Sequence, residues 1–475
     1  MPRLLLRILF CLAALLPLTA LAVASEFRAG AATSNITPPL GGDIIGNFVP
    51  IQATHVHDEL HARCLVLDDG QKRLALVVCD LLGINPLLCE EACKEITAQT
   101  KIPRECILIS ATHTHSVTSA LGQDRPAAVY VLDDYQKFVA RRIADGVVRA
   151  KNELRPAEIA FGTVDIPEHV FNRRWRMRPG TVPANPFGGV DQVKMNPPAG
   201  SANLTEPAGP TDPTVSFFMI REPDGAPISV YAAYSLHYVG SVGSGHISSD
   251  YYGIFCEHLK KLLDADHQSP PFVAMLANGT SGDINNVNFR NPRGRKQPYE
   301  QMRYVAEDVA SKVHKQIQKL EYRRDISLDA LYREPILAWR RPNKEQREWA
   351  GATIAGGQKS AGDLSYIYAK RFQKMAEFPE TTPVPLQVLR ISDVCIGTMP
   401  CEVFCEIGLE FKKRSPIQPA FMVSLVHGYF GYLPTTAQHD LGGYETWLGT
   451  NRLERDASDK LLAELLKMAG EVKTP

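Results

Sequence analysis

Four short apolar runs in this chain each empty into a group capable of chemistry, and that arrangement restricts the fold more than any other feature. The run 106–109 leads into Thr112-His113-Thr114-His115-Ser116, and the run 230–236 passes directly into His237. Residues 272–276 end in the Gly-rich polar turn Asn278-Gly279-Thr280-Ser281-Gly282-Asp283-Ile284-Asn285-Asn286, and 394–398 lead to Pro400-Cys401-Glu402. Apolar runs of this length, bounded by turn residues, read as buried strands. In an extended backbone residues two apart share a face, so His113 and His115 are expected to point the same way. Two histidines and a glutamate at strand ends, with one position left open, make a catalytic zinc set.

The remaining sequence reads as strands and helices around such ends. Apolar runs 62–67 and 74–82 flank Asp68-Asp69-Gly70, the signature of a hairpin. Pro86 opens a helix to about residue 98, and a second spans 134–154 with Phe138, Ile143, Val147 and Val148 spaced for one buried face. Further strands are expected at 158–164, 215–220 and 386–391, further helices at 251–263 and 299–320, and exposed helices in the charged stretch 340–374. Residues 176–213 hold eight of the 34 prolines, a density that forbids a regular helix or central strand and marks either a surface insertion or a lid. No internal repeat or low-complexity linker divides the chain. The expectation is a mixed α/β (α+β) fold, one large domain over 25–475 with mixed sheets flanked by helices.

Residues 1–24 read as a cleavable signal peptide. Arg3 and Arg7 lead, 8–22 is almost wholly apolar, and Ala22-Val23-Ala24 is a small-x-small cleavage site. The expected location is secreted or periplasmic. With 52 basic and 52 acidic residues, the chain has no field to draw nucleic acid. Its ten cysteines include no CxxC pair for structural zinc. Cys89/Cys93 and Cys401/Cys405 suit helix packing, while an exported chain has room for one or two disulfides.

Several pieces, in order, resemble the neutral/alkaline non-lysosomal ceramidases. They are Asn35-Ile36-Thr37-Pro38-Pro39, His57-Asp58-Glu59-Leu60-His61-Ala62-Arg63, Thr112-His113-Thr114-His115-Ser116, Asn172-Arg173, His237, Gly282-Asp283-Ile284, Glu402, and Tyr432 with Tyr444 in a Gly-flanked segment. The resemblance implies that His113, His237, Glu402 and Tyr432 hold zinc, and that Tyr444 lines the site. It further implies a secreted zinc amidohydrolase in which zinc-bound hydroxide attacks the amide of a ceramide-like N-acyl lipid, releasing sphingosine and a fatty acid. His115, Arg173 and Tyr444 are then the candidate donors to the oxyanion. Asp58 and Asp80 are candidate acceptors for the outer N–H of ligating imidazoles.

Two features depart from that family. Its turn carries a serine where Asn285 stands; asparagine cannot be a nucleophile, although its amide can donate and accept. The hydroxide route survives this change and serine acylation there does not, so Asn285 bears on which substrate is taken. Only 31 residues follow Tyr444, so the immunoglobulin-like C-terminal domain of longer members is expected to be absent. The expected partner is a lipid or small acylated substrate, with peripheral contact to a membrane surface and neither nucleic acid nor a protein partner. Two other readings remain: a zinc esterase or deacylase acting on an acylated glycan, and a non-catalytic binding homologue.

Overall fold

The computed structural model describes residues 26–122, 131–294 and 296–472; the signal peptide expected at 1–24 lies outside them. One unit of four strands and two helices is used three times. In the first, β1 (Arg28–Asn35) pairs antiparallel with β2 (His61–Asp68) and β2 antiparallel with β3 (Arg73–Cys79). Strand β3 then runs parallel to β4 (Ile107–Ala111); α1 (Pro86–Thr100) makes the crossover and α2 (Asp134–Asn152) follows. The second unit repeats this with β5 (Glu158–Asp165), β6 (Thr214–Arg221), β7 (Pro227–Tyr234), α3 (Asp250–Leu262), β8 (Val273–Asn278) and α4 (Glu300–Ile317). The third comprises β9 (Leu328–Arg333), β10 (Leu386–Ile391), β11 (Val394–Met399), α5 (Cys405–Arg414), β12 (Ala420–Ser424) and α6 (Ala457–Glu471).

Local chemistry explains the repeated order. An antiparallel pair closes through a short turn, whereas a parallel pair needs a crossover, usually a helix. Between β2 and β3 that turn is made by Asp68 and Asp69, whose carboxylates accept the N–H groups of Gly70, Gln71 and Lys72. Helix α1 starts on an Asn85 cap with Pro86 in its first turn, and α2 starts on a reciprocal Asp133/Gln136 capping box. Every residue of β4, β8 and β12 is buried, and these three strands pack against one another. Their carboxyl ends therefore open onto one place. Contrary to the sequence reading there is an internal repeat, but it lies in connectivity; apolar patterning alone can specify it without matching residues.

Three other expectations change. Phe138 is 42% exposed; α2 buries Ile143 and Val147 as expected, and Val139, Ala140 and Ala144 complete the face in place of Phe138. The stretch 340–374 does form two helices, Lys344–Ala355 and Leu364–Met375, but the second buries Tyr368, Ala369, Phe372 and Met375. The nine described cysteines are all buried free thiols, with no disulfide among them. Burial pushes the thiols of Cys64 and Cys93 up to about 12, which leaves them inert at neutral pH.

Each unit also carries a long insert between its first two strands: 36–60, 166–213 and 334–385. The Pro-rich region falls in the second. It forms a small ribbon, with Arg174–Met177 between Val193–Met195 and Leu204–Pro207, and contains no α-helix. Its Phe187 sits among Trp349, Tyr368 and Phe372 of the third insert and Trp447, with ring centroids 5.3–5.8 Å apart. Aromatic anchoring of this kind makes the loop a wall fixed to its neighbours.

Candidate metal centre

The turn after β4 is held by two units at once. His113 donates its backbone N–H to Leu81 (2.8 Å), Thr114 its hydroxyl to Ser248 (2.7 Å), and Asn278 its amide to the Thr112 carbonyl (3.0 Å). The strand stops at Ala111, and His113 has φ +76°, outside the extended region. Strand alternation therefore does not bring the two histidines together; a left-handed residue does, a costly conformation that functional turns retain. The rings still meet, with Nε2 of His113 3.1 Å from Nε2 of His115.

Three imidazoles converge here with the same polarity. The Nδ1 atoms of His113, His115 and His237 lie 2.6, 3.1 and 3.0 Å from the carbonyl oxygens of Leu82, Gly46 and Ser281. A carbonyl only accepts, so each Nδ1 carries a proton and each Nε2 is the nitrogen turned towards the other two rings. Ligating nitrogens of all three lie within 4.8 Å of one another. Two imidazole nitrogens 3.1 Å apart repel unless a cation or a proton lies between them. The acceptors foreseen in Asp58 and Asp80 are engaged elsewhere: Asp58 by Ser248 and Ser249, and Asp80 by Arg63 at 2.6 Å. Backbone carbonyls fix the same tautomer without adding charge. At residue 46 only glycine serves, because φ is +105° and a Cβ would lie 2.5 Å from His115 Nδ1.

The third unit brings Glu402, just beyond β11, in parallel pairing with Tyr432. Its Oε2 lies 3.2 Å from His113 Nε2 and 3.8 Å from His237 Nε2, while Oε1 accepts the Tyr429 hydroxyl at 2.6 Å. Burial works to raise its pKa, but His113 and the hydroxyls of Tyr429 and Tyr432 outweigh that and hold it below the usual carboxylate range. His237 Nε2 and Glu402 Oε2 are both buried without a hydrogen-bond partner. Orphaned acceptors cost about 1–3 kcal/mol each, so two beside a third bare nitrogen fit a cation site. Thus each unit supplies a donor: His113, His237 and Glu402 in turn. Nitrogen and carboxylate donors in this ratio suit zinc.

The other candidates divide. Arg173 is buried, donates Nε to Glu445 (2.9 Å), reaches the Tyr432 hydroxyl, and leaves Nη2 without a partner. Arg174 holds the second Glu445 oxygen at 2.7 Å. Tyr444 stands edge-on to Tyr432, ring centroids 5.7 Å apart, with its phenol pushed up to about 12 by burial. Desolvation, with His113 and Arg173 close by, keeps His115 and His237 well below the ordinary imidazole value and so neutral. Asn285 instead pairs with Phe171, donates to Asn196 (2.9 Å) and accepts from Val287 (3.1 Å). The Gly-rich turn serves the site by orienting His237 through Ser281. Gly282 donates to Val403 (2.8 Å), and a Cβ there would fall inside contact of the Glu402 carbonyl. Tyr429 and Glu445 were not foreseen; each lies within three residues of a recognised tyrosine but carries no pattern of its own.

The family profile described as neutral/alkaline non-lysosomal ceramidase, N-terminal, matches residues 27–304. The chain belongs to this family. A curated ceramidase relative, neutral ceramidase A of Dictyostelium discoideum, is 22% identical over 284 residues. That match spans 57% of this chain and 37% of the relative's length. The solved structure described as ceramidase complexed with C2 superposes with a TM-score of 0.70 at 16% identity, over 94% of this chain and 75% of that one. Neutral ceramidase from Pseudomonas aeruginosa gives 0.65 at 17%, over 94% and 74%. The mixed helix-and-strand architecture is therefore the ceramidase fold.

Proposed function

We propose that the protein is a zinc-dependent hydrolase of the amide bond in N-acyl lipids of the ceramide type. The observation that carries this reading is the meeting of three imidazoles, each with Nδ1–H committed to a backbone carbonyl, with the orphaned oxygen of Glu402. His113, His237 and Glu402 would hold the ion, with Tyr432 hydrogen-bonded to Glu402 as the fourth donor. When bound, zinc supplies Lewis acidity and lowers the pKa of water from about 15.7 towards 7. The protein's own groups account for the rest. Arg173 Nη2 is a buried donor available to a developing carbonyl oxyanion. Tyr444, protonated at neutral pH, is a second donor at the rim. His115, neutral and not needed as a ligand, can take a proton at Nε2 and return it to the leaving amine.

The test joins metal analysis to turnover of a fluorescent ceramide. Wild type should carry zinc and release fatty acid, and His237→Ala should lose both. Full activity with stoichiometric zinc in that variant would refute the assignment. Asn285, held by Asn196, favours a second reading in which the same centre deacylates a smaller or glycan-borne acyl group. A panel of acetylated sugars and simple esters separates the two. We propose export as well, on the apolar segment 8–22 and Ala22-Val23-Ala24. N-terminal sequencing of protein recovered outside the cytoplasm should begin at Ser25.

A further inference from the structure

The residue that follows His237 faces the same centre. The Tyr238 ring stacks on His115, with centroids 3.8 Å apart and planes inclined by 17°, and its centroid lies 5.4 Å from that of His237. Gly240 closes on the same tyrosine: φ there is +73°, and a Cβ would lie 3.0 Å from Tyr238 Cε2. Beyond the ring the segment is tied down. Val239 and Gly240 donate their backbone N–H groups to the two carboxylate oxygens of Asp250, at 3.0 and 2.8 Å. Asp250 is fully buried in the first turn of α3, so the stack is anchored to a helix.

The three imidazoles differ in how they are held. His113 and His237 each donate Nδ1–H to a carbonyl, and their Nε2 atoms lie 3.2 and 3.8 Å from Glu402 Oε2. His115 donates Nδ1–H to the Gly46 carbonyl at 3.1 Å, and among the described residues no carboxylate pairs with its Nε2. A nitrogen that takes and returns a proton has to stay unligated, so this ring cannot borrow rigidity from a metal. The outer torsion of histidine is broad, and one hydrogen bond leaves the imidazole plane free to swing about it. A flat ring lying against its face removes that freedom, because tilting would drive the imidazole into the phenol.

We propose that Tyr238 is a positioning residue whose ring fixes the plane of His115, so that Nε2 is aimed at the leaving amine. The inference rests on the reading of His115 as the proton carrier of an amidase, and it adds the group that directs that proton. The proton that Nε2 takes from the attacking water as the C–O bond forms is returned to the amide nitrogen as the C–N bond breaks. Amine and carboxylic acid leave, and the imidazole is neutral again. An amine or an alkoxide is a poor leaving group and depends on this proton; a nitrophenolate departs without it.

The test compares Tyr238→Leu, Tyr238→Phe and His115→Ala in the full chain, with zinc content and near-ultraviolet circular dichroism measured on each. Three soluble substrates of one acyl chain are used: an alkyl amide, an alkyl ester and a 4-nitrophenyl ester. Misplacement by about 1 Å costs up to roughly 100-fold, so Tyr238→Leu should lower kcat on the amide by roughly 10- to 100-fold with KM and zinc unchanged. Its turnover of the nitrophenyl ester should move by less than about twofold. Tyr238→Phe keeps the flat ring and should restore amide turnover to near wild type. Added to His115→Ala, Tyr238→Leu should cost nothing further on the amide, since it acts through that ring. Tyr238→Gln, a polar side chain suited to this half-buried position, carries the same expectation and decides the matter if the leucine variant does not fold. Full amide kcat in a folded, zinc-loaded variant overturns the inference, as does a loss shared equally by the amide and the nitrophenyl ester. So does a Tyr238→Phe variant as slow as Tyr238→Leu, since the hydroxyl would then be the working part. A wild type that cleaves both esters and no amide refutes the amidase reading; the inference then stands only if Tyr238→Leu slows the alkyl ester and spares the nitrophenyl ester.

Discussion

Replacing Glu445 with glutamine tests whether Arg173 is an instrument of the site or a buried structural ion. Glu445 is fully buried and bridges two guanidinium groups, Arg173 Nε at 2.9 Å and Arg174 Nη1 at 2.7 Å. The amide keeps one acceptor oxygen but turns its NH2 towards a donor. Arg174 has other holds, on the Gln438 side chain and carbonyl and on the Gly442 carbonyl at 2.7 Å. Among the described residues the other side-chain hold on Arg173 is the Tyr432 hydroxyl, so Arg173 is the group set free. A hydrogen bond to a charged partner contributes about 1.5–3 kcal/mol. If its loss is felt in the transition state, kcat falls by roughly 10- to 150-fold. The assay measures kcat and KM on a soluble fluorescent amide, with zinc content and near-ultraviolet circular dichroism measured on the same preparation. The expected variant is folded, retains zinc, and loses kcat with little change in KM. Unchanged kcat in a folded, zinc-loaded variant would refute a role for Arg173 in catalysis, and zinc lost in step with activity would make Glu445 a support of the metal instead.

Three further outcomes are expected. Asn285→Ser should raise the ratio of ceramide turnover to that of smaller amides; an equal or lower ratio removes this position from substrate choice. Gly282→Ala forces a Cβ against the Glu402 carbonyl and should destabilise by about 1–3 kcal/mol in urea while weakening zinc retention against a chelator. His439 is held at about 3 by burial, assisted by Arg340, Arg455 and Arg174. Because that lies below the unfolded value of about 6.5, its stabilisation is complete above pH 6.5 and lost as pH falls towards 3. His439→Gln should therefore lessen the urea-measured loss between pH 6.5 and 4.5 by about 2–3 kcal/mol, and an unaltered slope would contradict it.

What the sequence disclosed followed from what local patterns encode. Apolar runs ending in His113, His237 and Glu402 announced strands with functional ends, because a buried strand must be apolar and its end is where polarity returns. The hairpin at Asp68-Asp69-Gly70 was readable from its turn chemistry. The reason given for the pairing of His113 with His115 was wrong, since φ at His113 depends on contacts to Leu81, Ser248 and Asn278 that no local pattern shows. Long-range partners also hid Glu445 and Tyr429, whose roles come from arginines and a carboxylate distant in the chain. Phe138 was misplaced by one step of the helix: its neighbour Val139 takes the buried position, on the face that Ile143 and Val147 already marked. The threefold repeat was invisible because nothing in it requires the same residue twice.

That repeat governs how the chain can be shortened. The profile match stops at residue 304, inside α4, where the second unit ends. A protein truncated there keeps all three imidazoles and loses the carboxylate and phenol that would neutralise a dication. An ion held only by the assembled chain would add its binding energy to that assembly and act as a rivet through three plates. Stripping it should loosen the docking of the thirds to one another before it unfolds any of them.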